Sequence, residues 1–99
     1  MVLVTILSRH DCHLCEVAIK VARRLQRELP FSLSHVDIAD DEHLSALYGA
    51  RLPVIFLDQV ETFSGKVTER ELRRAIKRAR WRRPISRILF RLRQWLRRR

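Results

Sequence analysis

Residues 2–15 read Val2-Leu3-Val4-Thr5-Ile6-Leu7-Ser8-Arg9-His10-Asp11-Cys12-His13-Leu14-Cys15, and the change of pattern inside this stretch decides the fold. Val2 to Leu7 is an unbroken aliphatic and β-branched run without alternation, which predicts a strand buried on both faces and therefore central in its sheet. Ser8 to Asp11 interrupts the run. From Cys12 the apolar spacing becomes helical, with Leu14, Ala18, Val21, Ala22, Leu25 and Leu29 on one face and Lys20, Arg23, Arg24 and Arg27 elsewhere. Pro30 closes a helix of about 18 residues. A strand that hands over to a helix of this length predicts a right-handed parallel βαβ unit.

Working outward, Phe31 to Ile38 reads as the second strand, and its alternation slips between Leu33 and Val36, which predicts a bulge or irregular edge there. Asp40-Asp41-Glu42 supplies an N-cap and first-turn acids for a short helix carrying Leu44, Leu47 and Tyr48, with Gly49 at the C′ position. Leu52-Pro53 leads into the apolar strand Val54 to Leu57. Asp58-Gln59 predicts a tight turn into a fourth strand, Val60 to Phe63. Thr68 and Glu71 stand in capping-box spacing before Leu72, Ala75, Ile76 and Ala79. The order is β-α-β-α-β-β-α, an α/β fold whose mixed four-stranded sheet is flanked by helices.

The chain has 99 residues, with hydrophobic residues at 46% and charged residues at 32%. Such a length holds one domain of ordinary size, and the apolar fraction argues against global disorder. Two Gly, three Pro and two Cys exclude collagen-like, Pro/Gly-rich and multi-disulfide secreted classes. No apolar run approaches the roughly 20 residues of a membrane span. Met1 is followed at once by the first strand, with no basic n-region, so a reducing, cytoplasmic location is the expectation. The net charge of +10 is unevenly spread: residues 1–65 hold six basic and nine acidic side chains, whereas residues 80–99 hold nine Arg and no acid. The division expected is a domain over 1–79 and a basic extension over 80–99.

Cys12 and Cys15 fall where the first strand gives way to the first helix. Free backbone N–H groups and the helix dipole favour an anion at that point, so a thiolate at Cys12 is stabilised. A spacing of three residues brings the Cα atoms to about 5–6 Å, within disulfide range, and lets Cys15 resolve a mixed disulfide formed on Cys12. Asp11 opposes the thiolate, while Arg9, His10 and His13 offset it. Competing readings are a zinc site drawing on His10 and His13, two buried inert cysteines, and a chance match. Zinc would need four ligands from one short segment with no second CxxC, and the polar flank argues for exposure. His35 and His43 read as surface or strand-edge histidines, Asp37 as a capping or surface acid, and no Cys-His-Asn triad can be assembled.

Cys12-His13-Leu14-Cys15, Val36-Asp37-Ile38, Tyr48-Gly49 and Leu52-Pro53-Val54 occur here in the order and spacing of the small glutaredoxin-like proteins, so residues 1–79 resemble that branch of the thioredoxin fold. The resemblance implies a cis proline at Pro53, lying against the redox motif, with the Leu52-Pro53 backbone pairing with substrate. It implies thiol-disulfide oxidoreductase activity with Cys12 as nucleophile and Cys15 as resolving residue. His13, Leu52, Pro53 and Gly65 are the implied substrate-binding residues, with no bound cofactor or metal and with glutathione or a thioredoxin-type reductant as electron donor. His13-Leu14 replaces the Gly-Pro of thioredoxin and the Pro-Tyr of glutaredoxin. Ser64-Gly65-Lys66-Val67-Thr68 replaces the Gly-Gly and following acids that bind glutathione, leaving Gly65 and the amides before the last helix to hold a carboxylate.

In the extension, Arg80-Trp81-Arg82-Arg83-Pro84 interrupts the last helix, and Pro84 opens a new one in which Ile85, Ile88, Leu89, Leu92, Trp95 and Leu96 form an apolar stripe. This basic amphipathic helix fits packing on its own domain, an anionic membrane surface, nucleic acid or an acidic partner. The alternative to an enzyme is a non-catalytic adaptor carrying that helix. Partners expected are a disulfide-containing protein or small thiol and, through residues 80–99, an anionic membrane or nucleic acid, at a cytoplasmic or peripheral membrane location.

Overall fold

Leu3–Ser8 forms β1, and the computed structural model, which describes residues 1–81, places this strand in the interior of a four-stranded sheet. The remaining elements are α1 (His13–Leu25), β2 (Ser32–Asp37), α2 (Glu42–Tyr48), a 3-10 turn (Gly49–Arg51), β3 (Val54–Leu57) and β4 (Val60–Ser64), followed by α3 over residues 69–81. The sheet order is β2-β1-β3-β4, with β1 and β2 parallel and the β1–β3 and β3–β4 pairs antiparallel. The expected α/β order and the mixed sheet are what the chain adopts. The expected helix beginning at Pro84 lies outside the described residues, and α3 continues through Arg80 to Trp81.

The pleat divides the core. Val2, Val4, Ile6, Ile55 and Leu57 face Ala18, Ala22 and Leu25 of α1 and Leu72 and Ile76 of α3. Leu7, Val36, Val54 and Phe56 face the other way, against Leu44 and Tyr48 of α2. Apolar cover on both faces is why β1 and β3 show no alternation. Each fully buried Ile or Leu here contributes about 1.5–3 kcal/mol. Asp58 and Gln59 turn the β3–β4 hairpin with φ of 50° and 71°, the paired left-handed conformations of a tight two-residue connection.

Four expectations are corrected. The β2 register runs unbroken from Leu3↔Ser32 to Ser8↔Asp37; Leu33 and Val36 simply serve the two different faces, and the irregularity lies between Ile55 and Phe56 instead. Regular α1 stops at Leu25, after which Glu28 N–H donates to Leu25 O at 3.0 Å and Arg27 N–H to Arg24 O at 3.1 Å. Pro30 disfavours helical angles at Leu29, which stays in the core from this looser turn. Leu14 is 42% exposed, because the buried face of α1 is set by Cys15, Ala18, Ala22 and Leu25. Gly49 is not left-handed: with φ of −56° it carries the chain from α2 into the 3-10 turn. A Cβ there would lie 3.3 Å from Arg9 Nη2, the free end of a flexible side chain.

Candidate redox site

One end of the sheet collects the chemistry. The carboxyl ends of β1 and β2 lie there side by side, with Ile38 N–H donating to Ser8 O at 3.0 Å. The antiparallel register pairs Leu7 with Val54 and Val54 with Ser64. Pro53 at the start of β3 and Gly65 just past β4 therefore stand at the same end as the loop that leads from Ser8 to Cys12. The cysteine loop, Pro53 and Gly65 come from three separate stretches of the sequence.

Cys12 is the N-cap of α1, with extended φ and ψ of −103° and 109°. Its N–H donates to Arg9 O at 3.1 Å, its carbonyl accepts from Glu16 N–H at 3.2 Å, and its Sγ accepts from Cys15 N–H at 3.2 Å. The sulfur thus occupies the place of a capping oxygen, where a negative charge is favoured by the first-turn amides and the helix dipole. Cys12 and Cys15 are joined as a disulfide with Cα atoms 5.2 Å apart. The two sulfurs differ in access: Cys12 is partly exposed, while Cys15 is 1% exposed among the core side chains. His13 is exposed at the first position of α1, and Leu14 and Val17 add exposed apolar surface to the same two turns.

The Leu52–Pro53 peptide bond is cis. Pro53 is fully buried and Leu52 packs against Leu7, Ile38 and Val54. Gly65, with φ of 81°, donates its N–H to both Arg51 O and Pro53 O at 2.9 Å. That amide ties the end of β4 to the Pro53 turn. The Thr68 N–H is also engaged, by Glu71 Oε1 at 3.1 Å, as Glu71 N–H is by Thr68 Oγ1 at 3.1 Å. The Thr68 hydroxyl and then its N–H hold the Glu71 carboxyl below its ordinary range, against a smaller effect of desolvation.

Three features escape a reading of the sequence. Ser8 is 2% exposed and its hydroxyl hydrogen-bonds Nε2 of the exposed His35 across the parallel β1–β2 pair. Nothing local marks either residue; only the register joins them. Arg9 reaches from the cysteine loop to Gly49, and its Nε is buried without a hydrogen-bond partner among the described residues. Arg51 stacks over Tyr48 at 5.3 Å and pairs with Glu61 at 3.0 Å, bracing the turn that precedes Pro53. Asp37 closes a turn onto Ala39 N–H at 2.9 Å. Among the described residues no group of three or more His, Cys, Asp or Glu could hold a metal ion, and no helix is long and apolar enough to cross a membrane.

Comparison with known proteins agrees with this architecture. Protein XcR50 from X. campestris is 27% identical with a TM-score of 0.65, covering 75% of this chain and 95% of its own. Protein Ne2328 from Nitrosomonas europaea is 32% identical with a TM-score of 0.62, covering 72% and 86% respectively. A mutant thioredoxin from Halobacterium salinarum, at 22% identity, TM-score 0.61 and coverage of 79% and 74%, shares the fold. No curated protein matches the chain in sequence. Residues 3–77 match the family model described as Glutaredoxin-like domain (DUF836), a span that includes both cysteines, Pro53 and Gly65. The chain is a thioredoxin-fold protein and belongs to the glutaredoxin-like domain family.

Proposed function

We propose that the protein is a thiol-disulfide oxidoreductase acting through Cys12 and Cys15. The observation that carries this reading is the asymmetry of the pair: a partly exposed sulfur at the N-cap of α1 and a buried one a turn further on. In the reduced protein the Cys12 thiolate attacks a substrate disulfide, forming a mixed disulfide and releasing the first thiolate. Cys15 then attacks Cys12 Sγ, releasing the second thiolate and restoring the Cys12–Cys15 disulfide. The substrate gains two electrons, the pair loses them, and a thiol reductant such as glutathione or a thioredoxin-type dithiol resets the site.

His13, Leu52 and Pro53 border the cysteine loop in this reading and orient the substrate, while Gly65 contributes by holding the Pro53 turn. The exposed Leu14 and Val17 favour a protein disulfide as substrate, since apolar surface beside the reacting sulfur is what a protein partner would cover. A reducing cytoplasm suits such a dithiol. The test is disulfide reduction driven by dithiothreitol: Cys12→Ser should abolish it, and Cys15→Ser should accumulate mixed disulfides visible on non-reducing gels. Full activity in Cys12→Ser would sink the mechanism. The second reading, a non-catalytic adaptor, draws on the charge held by residues 80–99 and would be favoured if the intact protein reduced nothing.

A further inference from the structure

The two faces of α3 are unlike. Leu72 and Ile76 are fully buried, Ala75 and Ala79 pack on the core, and Arg73 binds Glu28 through two hydrogen bonds of 2.9 and 3.0 Å. On the opposite side Arg70, Arg74, Lys77, Arg78 and Trp81 are all exposed, Trp81 at 76%. At 3.6 residues per turn these five fall within an arc of about 100°. The only acids of α3 are occupied elsewhere: Glu69 pairs with Arg24 and Arg73, and Glu71 closes the capping box with Thr68. Among the described residues none of the four cations on the outer face forms an ion pair or a side-chain hydrogen bond.

A stripe of exposed cations suits any polyanion, and the sequence that follows narrows the choice. Residues 82–99 hold eight Arg and no acid, with Ile85, Ile88, Leu89, Leu92, Trp95 and Leu96 at spacings of three and four. A nucleic acid uses the arginines at its phosphates and can stack unpaired bases on tryptophan, but gains nothing from five aliphatic side chains. An anionic bilayer uses all three classes: cations at the headgroups, tryptophan at the interface, aliphatic side chains beneath. We infer that the outer face of α3, with the basic segment after it, docks on an anionic lipid surface. This goes beyond the oxidoreductase reading and does not depend on it.

The test uses the full chain and vesicles of phosphatidylglycerol mixed equally with phosphatidylcholine, beside vesicles of phosphatidylcholine alone and a duplex RNA. The expected result is co-sedimentation with the anionic vesicles only, weakening as salt is raised, with a blue shift of tryptophan emission. Each basic residue removed from α3 should weaken binding about fivefold, so Arg74→Gln with Lys77→Gln should lose about 25-fold. Arg70→Gln with Arg78→Gln provides an independent pair, and all four residues are exposed, so circular dichroism should be unchanged. Leu89→Ser with Leu92→Ser should weaken vesicle binding and leave RNA binding as it was. Failure of the native protein to sediment with anionic vesicles at low salt overturns the inference. So does undiminished binding by both glutamine pairs, or RNA binding tighter than vesicle binding.

Discussion

The amide of Cys15 donates to the sulfur of Cys12 at 3.2 Å, so the more exposed cysteine is also the N-cap of α1. Capping and nucleophilicity draw on the same unsatisfied first-turn amides, and substitutions at Cys12 can separate them. Serine is among the better N-caps, whereas alanine offers no acceptor and costs about 1 kcal/mol by comparison. Under reducing conditions, Cys12→Ser should be at least as stable to urea as the native protein, and Cys12→Ala less stable than Cys12→Ser by about 1 kcal/mol. Both should be equally inactive. Equal stability of the two variants would remove the capping role from Cys12.

The two glycines make opposite demands. Gly65 has φ of 81° with nothing within 4 Å of a built Cβ, while Gly49 sits at helical angles with Arg9 Nη2 at 3.3 Å from its Cβ position. Gly65→Ala should therefore lower stability by about 1 kcal/mol through backbone conformation alone, with Gly65→Asn milder. At Gly49 the obstacle is the free end of a flexible side chain, and alanine gains up to about 1 kcal/mol of helix propensity. Gly49→Ala should be neutral or stabilising in urea unfolding. A loss comparable to that of Gly65→Ala would mean that the Arg9 guanidinium cannot shift.

What could be read from the sequence divides along the range of the interactions. The central place of β1 is legible because burial on two faces removes alternation from the strand itself. The Thr68–Glu71 box is legible because both partners lie within one helical turn. Cys12 and Cys15 are legible as a pair for the same reason. Leu33 and Val36 mislead because an edge strand with partial cover on both faces breaks alternation without any bulge. Gly49 misleads because the chain runs on from α2 into a 3-10 turn at helical angles instead of stopping at a left-handed glycine. The gathering of Pro53 and Gly65 at the cysteine end of the sheet depends on two antiparallel registers, which no local pattern states.

Ser8 and His35 form a polar contact beside the cysteine loop between a buried serine and an exposed ring. Removing the ring leaves a buried hydroxyl without its partner, at a cost of about 1–3 kcal/mol, whereas removing both groups approaches neutrality. His35→Ala should thus be more destabilising than Ser8→Ala combined with His35→Ala. A double-mutant cycle by urea unfolding reads the difference. Additive losses would show that the Ser8 hydroxyl is satisfied another way.

Acid sensitivity should trace to the start of α3 and its brace on the turn after α1. Thr68 lowers the Glu71 carboxyl through its hydroxyl and then its N–H, and Arg73 lowers that of Glu28, chiefly through its hydrogen bonds. A carboxyl whose folded value is depressed stabilises the fold fully above its unfolded value, and that stability is lost as pH falls through the folded value. Glu71→Gln and Glu28→Gln should each lower the urea midpoint at neutral pH, and each deficit should close on acidification below the free glutamate range. Thr68→Ala removes the hydroxyl that caps Glu71 N–H and should cost about 1 kcal/mol at neutral pH. In that variant Glu71→Gln should have a smaller effect, because the hydroxyl that chiefly depresses the carboxyl is gone and only the backbone N–H of residue 68 still donates to it. A Glu71→Gln deficit that persists unchanged in acid would show that shape rather than charge at this position supports α3.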